Sequence, residues 1–116
     1  MNVTVIAGTL SSAPALRTLA SGTVLAQLQV TTRTPEEPAR SVPVALADPP
    51  AWLERLEAGD EVVVLGAVQR RFFRAGGVTA SRVEVSAERV ARAGDRRARR
   101  RLVESAGARL AALGAD

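Results

Sequence analysis

Residues 61–73, EVVVLGAVQRRFF, and residues 78–90, VTASRVEVSAERV, flank a short break, RAGG. Both runs are rich in β-branched residues, and glycines at such a break supply the positive φ that a tight hairpin needs. Two long paired strands commit this half of the chain to a β-sheet. Residue parity then divides the first strand into two faces. Val62, Val64, Gly66 and Val68 share one face, which Arg70 and Phe72 extend. Leu65, Ala67, Gln69, Arg71 and Phe73 share the other. The valine face is the natural interior of a barrel, so Phe72 is expected to close the barrel end or a subunit contact and Phe73 to point outward.

The preceding residues fit the same architecture. NVTVIA (2–7) is an apolar strand that Gly8 interrupts, as at a bulge or bend. Residues 11–22 carry the turn chemistry of Pro14, Ser21 and Gly22. From Thr23 to Arg33, Val24, Ala26, Leu28 and Val30 alternate with Gln27, Gln29, Thr31 and Arg33. Residues 34–41, TPEEPARS, read as a polar loop, and VPVAL (42–46) as a strand whose Pro43 implies an edge or a bulge. ADPPAWLERLEAGD (47–60) predicts a short helix with Asp48 as N-cap, Pro49 and Pro50 in its first turn and Gly59 at its C-cap. Trp52, Leu53 and Leu56 would face the barrel. The fold class is therefore all-β: a five-stranded Greek-key OB-fold barrel over residues 1–91, with one short helix between strands three and four.

Residues 92–116 have a different character. No strand pattern is left, and Leu102, Ala106, Leu110 and Leu113 recur at helical spacing with Val103 beside them. Asp95 is placed to cap this basic helix. Arg96, Arg97, Arg99, Arg100 and Arg101 then crowd its first turns, where they oppose the helix dipole. Such a conflict suits a partner-binding role, or a frayed and solvated tail. The net charge of +4 lies wholly here, because residues 1–91 carry nine arginines and nine acids while residues 92–116 carry seven and three. Every basic residue is arginine, which suits phosphate recognition and equally reflects GC-rich coding.

The 116 residues hold no cysteine and no histidine. That excludes disulfides, thiolate metal sites and histidine-based acid–base or triad chemistry. No paired-carboxylate or Gly-rich phosphate motif replaces them, so neither enzymatic activity nor a cofactor or metal is expected. No apolar run approaches a membrane span, and the start MNVTVIAGTL lacks the basic and long apolar regions of a signal peptide, so a cytoplasmic location is expected.

Gln69, Arg71 and Phe73 recur about 7 Å apart along one strand face. An exposed ring beside a guanidinium suits single-stranded nucleic acid: the ring stacks on a base and the arginine meets a phosphate, without demand for sequence. The candidate nucleic-acid-binding residues are Gln69, Arg70, Arg71, Phe73, Arg74 and Arg82 on the hairpin, Arg17 and Arg33 before it, and Arg97, Arg100 and Arg101 in the terminal helix. Aromatic-plus-arginine hairpins also occur at protein interfaces.

GTLSSAPALRTLASGTVLAQLQVTTR resembles the amino-terminal signature of bacterial single-stranded DNA-binding proteins, at Gly8, Leu10, Pro14, Leu16, Arg17, Gly22, Val24 and Leu28. WLERLEAGDEVVVLGAVQRRFF is similar to the same family's helix, strand and ligand-binding ribbon, at Leu56, Gly59, Val62, Val64 and Gly66. Phe73 falls where that family has a base-stacking tryptophan. The resemblance covers about residues 2–91 and implies an OB-fold, a homotetramer of paired dimers, and wrapping of single-stranded DNA in replication, repair or recombination, in the cytoplasm with the nucleoid. The chain departs from the pattern in three places. Residues 34–46 hold no aromatic, Trp52 lies too far into the predicted helix to stand in for one, and the end LAALGAD lacks the family's acidic, partner-recruiting tip. Each missing stack removes roughly 1–3 kcal/mol, which points to weaker or more electrostatic binding. The chain is thus expected to be a divergent or shortened paralogue that binds single-stranded DNA. The alternative is an OB-fold interaction subunit of a replication or primosome assembly with weak DNA binding.

Overall fold

A computed structural model describes residues 1–113. Its strands are β1 (Thr4–Leu10), β2 (Ala15–Thr18), β3 (Val24–Thr34), β4 (Glu37–Ala47), β5 (Glu61–Ala75) and β6 (Val78–Arg92), followed by a helix, α1 (Arg96–Ala111). Five strands close an OB-like barrel in the order β1-β5-β6-β4-β3, and β3 returns to β1 through the pairs Thr9↔Thr31 and Leu10↔Val30. Neighbours are antiparallel except β4 and β6, which run parallel at Val44↔Val85 and Ala45↔Ser86. The barrel core joins Leu10, Ala26, Leu28, Val30, Val44, Val62, Val64 and Val85, with Leu53 and Leu56 plugging it from the β4–β5 connection.

β5 explains why VVVL is a continuous apolar run rather than an alternating one. Val62 and Val64 enter the barrel, while Val63 and Leu65 lie under α1 with Ala91, Leu102 and Ala106. Both faces of this part of the strand are buried. Two glycines permit the close approaches that shape the barrel. A Cβ on Gly8 would stand 2.3 Å from the Thr31 carbonyl oxygen, where the barrel closes, and one on Gly66 would stand 2.2 Å from that of Ser86. Gly66 adjoins a register shift in the β5–β6 ladder, which passes from Leu65↔Arg89 to Gly66↔Ala87 and leaves Glu88 as a bulge.

The connections differ from expectation. The predicted turn region contains β2, a short exposed strand that pairs with β3 from Ala15↔Gln27 to Thr18↔Val24. The predicted loop over 34–41 contracts to a tight turn, and β4 already starts at Glu37. Pro43 fits inside β4 because its partner Gln29 gives its carbonyl to Ser11 on the opposite edge of β3, so the Pro43 nitrogen is not required by that ladder. The predicted helix is reduced to a single 3-10 turn, Ala51–Arg55. Asp48 does not cap it: the residue has φ of 51° and its N–H donates to the Val24 carbonyl at 2.8 Å. Paired prolines at 49 and 50 supply no N–H, and Leu56 is already extended. Gly59 turns the chain at φ of 93° and donates to the Leu10 carbonyl, so it serves the barrel rather than a helix end.

Asp95 does cap α1, accepting from the Ala98 N–H at 3.1 Å. The helical stripe divides: Leu102 and Ala106 dock on the barrel, while Val103, Leu110 and Leu113 stay exposed. Among the described residues no helix is long and apolar enough to cross a membrane. The last residues of LAALGAD, 114–116, lie outside the described residues.

Candidate nucleic-acid interface

β5 and β6 continue past the barrel as a two-stranded ribbon. β4 pairs with β6 only at Val85 and Ser86, so residues toward the hairpin tip lie beyond the sheet. Asn2 braces the departure point: its side chain donates to the Val68 carbonyl at 2.6 Å and accepts the Val68 N–H at 3.0 Å, like one more strand residue. At the tip, Gly76 and Gly77 both have positive φ, 58° and 79°. That is the requirement of the two-residue hairpin turn whose twist matches the strands.

Each ribbon face carries its own set of side chains. On one face are Val68, Arg70, Phe72 and Arg74, opposite Val85, Val83, Ser81 and Thr79. Arg70 Nη1 donates to Ser81 Oγ at 2.9 Å, and Arg74 Nη1 to the Gly77 carbonyl at 3.1 Å, which holds both guanidinia against the ribbon. On the other face are Gln69, Arg71 and Phe73, opposite Glu84, Arg82 and Ala80. Glu84, only 1% exposed, organises this second face. Its Oε1 accepts from Arg71 Nε and from Gln69 Nε2, and its Oε2 lies 3.7 Å from Arg82. Arg82 Nε is buried without a partner. Four arginines against one carboxylate still leave residues 69–84 positive.

The phenylalanines reverse their expected ranking. Phe72 is 68% exposed and Phe73 41%. Parity places Phe72 on the face that is interior lower in β5, but the barrel has ended by then, as exposed Val68 and Val83 also show. Phe72 therefore closes nothing in this chain and is the more accessible ring.

The structure gathers Gln69, Arg70, Arg71, Phe73, Arg74 and Arg82 on the ribbon and leaves the other candidates elsewhere. Arg17 is exposed on β2. Arg33 borders an open groove of about 450 Å³ at the barrel closure, with Gly8, Thr9, Thr31 and Glu61. Arg97 and Arg100 lie exposed on α1. Arg101 lines a cleft of about 250 Å³ between α1 and the 3-10 turn, with Trp52, Glu88 and Arg89. Trp52 is a partly buried core neighbour, as expected, and Arg92 lies 4.9 Å above its ring while donating to its carbonyl. Sequence reasoning missed Glu84, although the glycine turn that fixes Ala75↔Val78 also fixes Gln69↔Glu84.

No family model matches the chain, and no curated protein matches it.

Proposed function

We propose that this chain is a non-enzymatic binder of single-stranded DNA, largely indifferent to sequence. The observation that carries the reading is the ribbon. Both phenylalanines of the chain are exposed on it, within three residues of Arg70, Arg71 and Arg74. Exposed rings interleaved with guanidinia suit unstacked bases and their phosphates, and every base offers a face for stacking. The OB-like barrel, read as a five-stranded Greek key, is a scaffold that suits this work. The resemblance of residues 2–91 to bacterial single-stranded DNA-binding proteins supports the same reading. It extends the proposal to replication, repair or recombination, to a nucleoid-associated cytoplasmic location and to a homotetramer.

The test is titration of labelled oligo(dT) and of a duplex of equal length at several salt concentrations, with the parent and a Phe72→Ala/Phe73→Ala variant. Preference for the single strand that falls at least about tenfold in the variant supports the reading, since each stack contributes roughly 1–3 kcal/mol. A second reading, an interaction subunit with weak DNA binding, is favoured by the aromatic-free strands β3 and β4 and by exposed Val103, Leu110 and Leu113. Single-strand binding that is weak and unaffected by the variant would select it.

A further inference from the structure

α1 carries a cationic face that the ribbon does not explain. Arg109 is held by Glu88, and Arg99 donates to the Ala93 carbonyl. Arg96, Arg97 and Arg100 are exposed and have no carboxylate within ion-pair distance among the described residues. Arg96 and Arg100 line a shallow depression of about 270 Å³ that Glu104 also borders, and with Arg97 they line a second of about 350 Å³. The first turn of α1 contains no acidic residue, so only the N-cap carboxylate of Asp95 offsets Arg96 and Arg97 at the positive end of the helix dipole. An external anion would add to that offset.

The array is also fixed in place. Asp95 caps the helix and Leu102 and Ala106 dock it on Val63, Leu65 and Ala91, so the arginines are held on a packed element. The helix has no aromatic residue, and nothing on this face can stack on an unpaired base. Its chemistry fits a phosphate backbone whose bases are already stacked within a duplex. The distance to the ribbon matters too. Leu65 lies beneath α1, and Phe73 lies eight residues further along the same strand, about 26 Å away at strand spacing.

We propose that Arg96, Arg97 and Arg100 form a phosphate site for double-stranded nucleic acid, and that the chain binds the junction where a duplex opens into a single strand. The duplex would lie on α1 and the unpaired strand on the ribbon. The junction half rests on the single-strand reading of the ribbon, whereas the duplex half stands without it.

The experiment uses the full chain, a blunt duplex, an oligo(dT) of equal length and a duplex with a dT overhang. In an Arg96→Gln/Arg97→Gln/Arg100→Gln variant the salt slope for the duplex should fall by roughly 2.7, about 0.9 for each phosphate contact. Oligo(dT) binding should fall much less than duplex binding, and the overhang substrate should lose its advantage over oligo(dT). The melting temperature should not fall, because positive charge leaves the start of a helix. A Phe72→Ala/Phe73→Ala variant should show the converse: weaker oligo(dT) binding with duplex binding kept. A parent that ignores duplex, a triple variant with unchanged duplex binding, or an equal loss on all three probes would each overturn the proposal. If the parent binds duplex through these arginines but not oligo(dT), the duplex site stands while the single-strand reading and the junction both fall.

Discussion

Arg71 and Glu84 are joined across the β5–β6 ribbon, Arg71 Nε donating to a carboxylate that is almost wholly buried. Glu84 also accepts from Gln69 and stands near Arg82, so one carboxylate engages three side chains of the candidate interface. Arg71 is thus occupied in the free protein. Arg70 and Arg74 are tied only to a hydroxyl and a backbone carbonyl, so their charge is not offset by a carboxylate.

Glu84→Gln should therefore separate stability from binding. The variant leaves Arg71 and Arg82 without their carboxylate, which costs about 1–3 kcal/mol in urea unfolding. Under the single-strand reading it also frees two guanidinia, and the salt slope for oligo(dT) should steepen by up to about 0.7 for each phosphate they neutralise. A variant as stable as the parent would show that the buried carboxylate does not hold the ribbon together. Weakened single-strand binding would mean that its scaffolding role dominates.

Gly66→Ala and Gly8→Ala should be among the most damaging small substitutions in the chain. In each, the added methyl meets a backbone carbonyl oxygen, at 2.2 Å and 2.3 Å respectively, and backbone in a closed barrel cannot swing away. A loss of about 3 kcal/mol or more is expected from chemical denaturation. Gly107→Ala is the control: its position is in exposed helix with open space around it, and should gain about 0.5–1 kcal/mol. Equal effects at the three sites would contradict the close approaches.

Where local chemistry decides, the sequence was readable. Alternation marks β3, a double glycine marks the ribbon turn, and Asp95 marks the start of α1. The 3-10 turn was not legible, because Asp48 and the prolines look like a helix start, whereas Asp48 turns with φ of 51° and Leu56 is already extended. Parity assigned Phe72 a side but not an environment, since it says nothing of where the barrel ends. The stripe on α1 announced an apolar contact, yet its partners Val63, Leu65 and Ala91 come from far earlier or from another element. Glu84 was legible in principle through the hairpin register, which pairs it with Gln69.

Leu102→Ala should loosen α1 selectively. Leu102 is fully buried and anchors the helix, so the expected cost is about 2–5 kcal/mol. Amide exchange over residues 96–111 should accelerate more than in β3 or β4, because the barrel core keeps its own contacts. Leu110→Ala, at a 54% exposed position, should stay within about 0.5 kcal/mol of the parent. If exchange rises equally throughout, α1 is an integral part of one cooperative unit rather than a docked element.

The single substitutions Phe72→Ala and Phe73→Ala should differ in both stability and binding. Phe72 projects from the ribbon opposite Ser81, so its loss should change unfolding by less than about 0.5 kcal/mol. Phe73 is more covered and lies beside the Glu84 cluster, opposite half-buried Ala80, so removing it should cost up to about 1 kcal/mol. For binding, the sequence resemblance assigns the stacking role to Phe73, whereas accessibility favours Phe72. Phe72→Ala is expected to weaken oligo(dT) binding at least as much as Phe73→Ala, within the roughly 1–3 kcal/mol of a lost stack. The measurement is the oligo(dT) affinity of each single variant at one salt concentration, beside its denaturation curve. A Phe72→Ala protein that binds like the parent, next to a Phe73→Ala protein weakened tenfold, would return the base contact to Phe73.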